Sequence, residues 1–466
     1  MKEVLKVGVS GVRGIVGQSF TPQLAAAFAQ AFGTFLDEGV VIVGRDTRTT
    51  GPMIEQAVLA GLLSVGCKPV TAGVIPTPSL LYLVKAEGAR GGIMITASHN
   101  SVEWNALKFI DRRGMFLGPI HAEELFDIYH QQEFPFVREP DLRSVSIHEK
   151  GVAPHFERVV EYVNADAIRN ARLRVAVDCC NGVGALYTRS FLEARFGCTV
   201  FSVYDKPTGL FERDPEPLRE HLQLLRDTVT TEACQIGFAQ DPDGDRLAVL
   251  DETGRPIGEE ITVALAVSAV LRNHAQGPVA ANLSSGKSVE HVARQGGGEI
   301  AWTKTGEIHV SETMRTIGAV VGGEHTGGII IPAIHPCRDS YGGMAVILEL
   351  LALTGKTVSQ LCADIPQYCL IKDKVPIGAE HAPGILRQVR RAYEGHPMRF
   401  LDGVYVDFGD RWVHVRRSNT EPVLRIIAEA PTREESMKLV DDVKARVGEV
   451  MRDGHKGKVG PEAKYS

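Results

Sequence analysis

The sequence predicts an α/β protein of several domains, with three successive mixed α/β units followed by one α+β unit. Three observations lead there. At 466 residues the chain exceeds what one ordinary hydrophobic core supports, so length alone divides it into about three or four domains. Helical and strand periodicities alternate from the N-terminus through residue 370, the pattern of helices packed on sheets. Residues 404–415 then switch to the period of two that marks antiparallel strands.

In the first unit, Thr21-Pro22 opens an Ala-rich helix, because proline suits a first helical turn. The short apolar runs at 40–43 and 92–96 read as buried strands, and 52–64 as the helix between them. A second set begins near Leu173 with Leu-Arg-Val-Ala-Val-Asp, turns at Asn181-Gly182-Val183-Gly184 and reaches a strand–loop–strand around Asp241. The third, from about 258 to 370, again mixes helices with short apolar strands. In the last, 424–428 adds a strand, and Thr432-Arg-Glu-Glu435 has the capping-box pattern of a helix that turns Leu439, Val443 and Val447 inward. The tail is polar and rich in Gly and Lys, and partial mobility is expected of it. The expected boundaries are 1–150, 151–255, 256–370 and 371–455, with 456–466 as the tail. No short-period repeat of the solenoid type occurs, although the three α/β units can share a fold without visible identity.

Composition limits the partners. A formal net charge of −6 supplies no general field for nucleic acid or an acidic membrane, so any anion site must be local. Apolar runs such as 91–95 and 263–267 are far shorter than the roughly 20 residues a bilayer needs. The N-terminus lacks a signal-peptide apolar region, and a cytoplasmic chain is expected. Eight cysteines without paired short spacings suggest reduced, buried small hydrophobes, Cys179 and Cys180 included.

Four polar stretches, one per unit, each follow an apolar strand. The first is Thr96-Ala97-Ser98-His99-Asn100. In isolation Ser98 reads as a turn or cap residue, and only its company gives it a chemical role. The absence of Gly-x-Ser-x-Gly leaves a hydrolase-type nucleophile elbow unsupported. His99 is either a base or a surface donor, and Lys108 supplies a cation or proton carrier.

Asp241-Pro242-Asp243-Gly244-Asp245-Arg246 is the strongest chemical signal. Carboxylates at alternate positions of a tight turn make an oxygen cage for a hard divalent cation and would repel one another without it. Glu252 falls where an EF-hand places its last ligand, but Arg246 stands where that loop needs glycine and 247–250 reads as a strand. Magnesium suits a site with few protein ligands better than calcium does.

The third stretch is Gly322-Gly323-Glu324-His325-Thr326-Gly327-Gly328. Its glycines would let the backbone approach a ligand, with Glu324 and Thr326 offering groups that recognise hydroxyls; a simple glycine turn is the alternative. The fourth is Arg416-Arg417-Ser418-Asn419-Thr420-Glu421-Pro422, with Arg425 beyond. Guanidinium, hydroxyl, amide and backbone N–H groups in one loop form a dianion cradle.

Together and in this order the four stretches closely resemble the α-D-phosphohexomutase family, which includes phosphoglucomutases, phosphomannomutases and phosphoglucosamine mutases. The resemblance covers nearly the whole chain. Thr-Ala-Ser-His-Asn resembles the family's phosphoserine loop, Asp-Pro-Asp-Gly-Asp-Arg its metal loop, Gly-Glu-His-Thr-Gly-Gly its sugar loop and 416–422 its phosphate loop. Smaller matches are Ser10-Gly-Val-Arg13-Gly14, Val43-Gly-Arg-Asp-Thr-Arg48 and Gly73-Val-Ile-Pro-Thr-Pro78.

The resemblance implies three similar α/β domains and a fourth of the TATA-binding-protein-like type around a central cleft. It implies a phosphoserine domain, a metal-binding domain, a sugar-binding domain and a phosphate-binding domain, in that order. It further implies an isomerase that interconverts hexose 6-phosphate and hexose 1-phosphate through phosphorylated Ser98 and a hexose 1,6-bisphosphate, which also serves as catalytic activator. Mg²⁺ would be held by Ser98, Asp241, Asp243 and Asp245. Arg13, Lys108 and His99 would assist catalysis. Lys304, Glu324, His325, Thr326 and Arg246 would touch the sugar, and Arg416, Ser418, Asn419, Thr420 and Arg425 the non-reacting phosphate. The partners would be small hexose phosphates, to a monomer or homodimer, without nucleic acid or membrane.

Some positions depart from the family pattern: Ser101 replaces a proline, Ala106 a glycine, Thr326 a serine and Gly328 a histidine, with His325 close by. Gly-Glu-x-x-Gly-Gly followed by Cys337-Arg338-Asp339 is more similar to the archaeal-type phosphoglucosamine mutases than to classical phosphoglucomutases. Competing readings are an aspartyl phosphotransferase acting through Asp241 or Asp243, a bisphosphate synthase, and a silent sugar-phosphate-binding protein. Retention of Ser98 and the three aspartates weighs against the last.

Overall fold

In the computed structural model, residues 5–8, 11–378, 381–418 and 423–456 are described. Ser10, Asn419, Thr420, Glu421, Pro422 and the tail beyond 456 lie outside the described residues.

Buried apolar strands build the same four-stranded core three times. In the first unit Gly39–Arg45 lies between Cys67–Val74 and Gly91–Ile95, parallel to both, and Trp104–Asp111 runs antiparallel to the last. In the second, Arg174–Asp178 lies between Thr199–Val203 and Ile236–Gln240, with Leu247–Leu250 antiparallel beyond. In the third, Val279–Asn282 lies between Ile300–Thr303 and Val321–Glu324, with Gly328–Ile331 antiparallel beyond. Counted within each unit, the spatial order is second, first, third, fourth in all three. The central strands are apolar along their length, as Val41, Ile42 and Val43 or Val175, Ala176 and Val177 show, because helices cover both faces.

This topology places the chemistry. The loop between third and fourth strands carries Ser98 in the first unit, Asp241 to Arg246 in the second and His325 to Gly327 in the third. Each leaves the carboxyl end of a parallel strand, the edge where open α/β sheets bind ligands. Three stretches that look unrelated in sequence therefore occupy one topological position.

The fourth unit is a five-stranded antiparallel sheet covered by helices Ala382–Ala392 and Arg433–Lys456. Thr432 accepts a hydrogen bond from the Glu435 N–H at 3.3 Å and so caps the last helix. That helix buries Val440, Val443 and Val447, while Leu439 packs only partly. Spacings of three and four define the inward stripe, which moves the expected Leu439 contact to Val440.

The units are joined by buried polar contacts. Ser79 of the first meets His155 Nδ1 at 2.9 Å, and His155 Nε2 meets Asp339 of the third at 3.0 Å. Lys287 of the third donates to both carboxylate oxygens of Asp407 in the fourth, at 2.9 and 3.0 Å. Among the described residues no helix is long and apolar enough to cross a membrane.

Candidate active site

Ser98 sits just past the strand Gly91–Ile95, buried, with φ +48°. Left-handed backbone is uncommon for serine and turns its hydroxyl toward the second unit. There Ser98 Oγ donates to Asp241 Oδ2 at 2.7 Å. Asp241 Oδ1 accepts from the N–H groups of Asp245 and Arg246 at 3.1 and 3.2 Å, which closes the acidic turn on itself. Asp243 Oδ2 accepts from Thr77 Oγ1 at 2.8 Å and Lys108 Nζ at 2.9 Å, and Asp245 Oδ2 accepts from Arg338 at 2.6 Å.

In Asp243 and Asp245 these contacts use only the Oδ2 atom. The remaining oxygens, Asp243 Oδ1 and Asp245 Oδ1, are buried and have no hydrogen-bond partner. Ligand oxygens of all three aspartates lie within 4.8 Å of one another. Such an arrangement can hold a metal ion, and the orphaned oxygens fit a small hard cation.

The electrostatics agree. Burial, with repulsion from Asp243 and Asp245, pushes the Asp241 carboxyl well above its usual range. Burial works the same way on Asp243, but the Lys108 ammonium and the surrounding donors outweigh it and hold that carboxyl low. Burial lowers Lys108, and Asp243 and Asp245 reverse it, so its ammonium stays charged. His99 is half-buried with Nδ1 unpartnered; the Arg246 guanidinium, burial, Arg13 and Arg338 hold it well below the ordinary histidine range. Glu252 is remote from the triad in role: its carboxylate accepts from the Ser359 N–H at 3.1 Å, at the start of another helix.

A cavity of about 380 Å³ opens beside Ser98, lined among others by Arg13, His99, Lys108, Arg246, Thr305 and Glu307. Arg13 reaches Asn100 Oδ1 at 3.3 Å, and Arg246 pairs with Glu216 at 2.9 Å. Glu324 accepts from Gly306 N at 2.7 Å, Asn282 at 3.1 Å and Arg338 at 3.1 Å. His325 is buried and held well below its ordinary pKa by burial and by the charges of Lys372, Arg416 and Arg246. Thr326 is half-buried in the turn, whereas Lys304 is exposed and its neighbour Thr305 lines the cavity.

At least two glycines of the third stretch serve close backbone packing. A Cβ at Gly322 would lie 1.9 Å from Ala280 O, and at Gly327 2.2 Å from Leu247 O. They allow strands to pack and let the turn dock on the strand that follows the acidic turn, where Leu247 N donates to Gly327 O at 3.0 Å.

In the fourth unit Arg416 and Arg425 face each other across adjacent antiparallel strands. Like charges in that position repel, and an anion between them would relieve it. Burial lowers the Arg416 pKa, Arg416 Nη1 lies 3.6 Å from Asp402, and Ser418 follows it, buried.

Comparison with known proteins decides the family. The models for phosphoglucomutase/phosphomannomutase match in order: alpha/beta/alpha domain I at 4–136, domain II at 153–254, domain III at 258–368 and the C-terminal domain at 370–446. The chain belongs to the phosphoglucomutase/phosphomannomutase family. It is 37% identical over 93% of its length to a probable phosphoglucosamine mutase of Methanopyrus kandleri, covering 96% of that protein. It is 34% identical, with the same coverages, to a phosphoglucomutase/phosphomannomutase of Thermococcus kodakarensis. A crystal structure of a family member from Burkholderia thailandensis superposes with TM-score 0.83 at 25% identity, over 96% of this chain and 97% of that one. The chain is accordingly a phosphohexomutase, an enzyme of the isomerase class.

Residues outside the four stretches also contact the acidic turn and the third stretch of this phosphohexomutase. Arg338 joins Asp245, Glu324 and Glu307, the last through its Nε at 3.0 Å. Burial pushes the Glu307 carboxyl up to about 7. Glu216 and Asn282 lie outside every quoted motif, and Thr77 lay in Gly73-Val-Ile-Pro-Thr-Pro78 without its contact to Asp243 being legible. Asn282 ends a strand and Thr77 lies three residues past one, whereas Glu216 sits in a long loop that carries no such signal.

Proposed function

We propose that the chain interconverts hexose 6-phosphate and hexose 1-phosphate, glucosamine phosphate being the best-supported sugar, through phosphorylated Ser98 and a hexose 1,6-bisphosphate. One observation carries the reading: a buried serine hydroxyl lies 2.7 Å from a carboxylate of an acidic triad with two orphaned oxygens. The sugar is favoured by the archaeal relative named for it.

Asp241, Asp243 and Asp245, with the Ser98 phosphate, would hold Mg²⁺, which when bound neutralises charge on the transferring group. In the first half-reaction a sugar hydroxyl oxygen bonds to phosphorus while the Ser98 Oγ–P bond breaks, and the hydroxyl proton passes to a cleft base. In the second, Ser98 Oγ bonds to the other phosphoryl group of the bisphosphate and that sugar oxygen takes back a proton. Lys108, charged and pinned by Asp243, stabilises the developing negative charge with Arg13. His99, neutral with Nδ1 open, and Glu307, near neutrality, are the cleft groups suited to carry the proton. Glu324 with His325, Thr326, Lys304 and Arg246 would read the sugar, and Arg416, Ser418, Asn419, Thr420 and Arg425 would hold the phosphate not reacting.

Asp241 is a poor phosphoryl acceptor by comparison, since both its oxygens already accept hydrogen bonds. The test is incubation with Mg²⁺ and a catalytic amount of hexose 1,6-bisphosphate, then assay of glucosamine-, glucose- and mannose-6-phosphate for conversion. Turnover of the glucosamine ester above the others, lost in Ser98→Ala, is expected. Failure to convert any of them would overturn the reading.

A further inference from the structure

We infer that Arg48 is the positioning residue that sets Ser98 in its reactive conformation, gathering the backbone of the serine loop onto one buried guanidinium. The inference rests on Ser98 carrying the phosphoryl group and adds what makes that serine competent.

Arg48 is fully buried. Its Nη2 donates to Ser98 O and Asn100 O, both at 2.7 Å, and its Nη1 to Ser101 O at 2.6 Å and Trp104 O at 3.0 Å. Its Nε donates to Asp46 Oδ2 at 3.0 Å. All of its donor nitrogens are thus used, and four of the contacts converge from a single loop. Asp46 completes the device: its Oδ2 also accepts from Thr96 Oγ1 at 2.6 Å, and that hydroxyl in turn accepts from Ser98 N at 2.9 Å. The loop is held at its carbonyls by Arg48 and at the Ser98 N–H by Thr96, with Asp46 orienting both.

Such restraint has a purpose at Ser98. A serine at φ +48° occupies sparsely populated backbone space and persists there only where its surroundings over-determine it. Relaxation of the loop would swing Oγ away from Asp241. The guanidinium is suited to the task because its planar fork presents five donors in fixed directions, whereas the three donors of an ammonium radiate from one atom.

The second unit repeats the arrangement. Asp178, at the end of its first strand, accepts from Arg213 Nε at 2.8 Å, and Arg213 Nη2 donates to Gln240 O at 2.7 Å, immediately before the acidic turn. A buried Asp–Arg pair thus holds the backbone at the carboxyl end of the third strand in both units that form the reacting centre. The ring of Phe211 from the second unit lies 4.9 Å from the Arg48 guanidinium and closes it from behind.

The test compares wild-type protein, Arg48→Lys, Thr96→Val and Thr96→Ser. Intact mass follows phosphoryl uptake at saturating glucosamine 1,6-bisphosphate with Mg²⁺, calorimetry gives the Kd for glucosamine 6-phosphate, and melting reports folding. Arg48→Lys is expected to slow uptake about 100-fold, the cost of misplacing a reacting group by roughly an ångström, while Kd changes by less than about three-fold. Thr96→Val should slow uptake too, and Thr96→Ser, which keeps the hydroxyl, should recover most of the loss. Wild-type uptake in Arg48→Lys, or affinity falling in step with uptake, would overturn the inference. If Arg48→Lys does not fold, equal rates in the two Thr96 variants would overturn it instead. No uptake by the wild type would sink the phosphoserine reading and the inference that rests on it, whereas unchanged uptake in the variants would sink the role of Arg48 alone.

Discussion

Glu429 offers a stability test whose size follows from its surroundings. It is fully buried where the third and fourth units meet. One oxygen accepts from Lys287 N at 2.7 Å and Trp412 Nε1 at 2.9 Å, and the other has no partner. Burial pushes its carboxyl from an ordinary 4.5 up to about 7. A folded pKa raised in this way means that the native state holds a proton the unfolded chain has released. Stability from this group is therefore greatest below pH 4.5 and is lost as pH rises through 7. At about 1.4 kcal/mol per pH unit, the ionised side chain costs the fold about 3 kcal/mol above pH 7.

Glu429→Gln keeps the accepting oxygen, removes the charge and leaves one buried amide N–H₂ unsatisfied, at a cost of about 1 kcal/mol. The variant should be roughly 2 kcal/mol more stable than wild type at pH 8.5, with the gain shrinking or reversing by pH 5. Urea unfolding followed by tryptophan fluorescence, to which Trp412 contributes directly, measures the difference at both pH values. A difference that does not change with pH, or a variant weaker at pH 8.5, would refute the reasoning.

Arg338→Met strips the counter-charge from Asp245, Glu307 and Glu324 together; it should lose about 3–5 kcal/mol in EDTA. Mg²⁺ at 100 times its Kd should return about 2.7 kcal/mol, and a variant as stable as wild type in EDTA would contradict the role given to this guanidinium. Burial lowers His335 from 6.5 to about 4, so the unfolded chain takes up a proton that the native state refuses. Stability is expected to fall as pH drops from 6.5 toward 4, and His335→Gln should flatten that limb in acid-unfolding curves.

The sequence revealed most where chemistry is local. Asp241, Asp243 and Asp245 stand at alternate positions of one turn, so their crowding and its remedy could be read without a fold. Ser98 was legible only by its company, because its left-handed backbone and its contact with Asp241, 143 positions away, leave no trace in the loop itself. Arg338 and Thr77 stood in quoted motifs, but their contacts with the acidic turn escaped for the same reason: they reach it from 93 and 166 residues off. The glycine run stayed ambiguous in the sequence, since glycine marks close approach without saying whether ligand or backbone comes near; at Gly322 and Gly327 it is backbone. The equivalence of the three functional loops showed only as each following an apolar strand, because strand order belongs to tertiary structure.

The central claim is that Ser98 is the phosphoryl carrier, and the most direct measurement locates the phosphoryl group. Protein incubated with Mg²⁺ and hexose 1,6-bisphosphate, then digested and sequenced by mass spectrometry, should carry one phosphate, on Ser98. Phosphate on Asp241 or Asp243, or an unlabelled protein that still converts its sugar, would contradict the account.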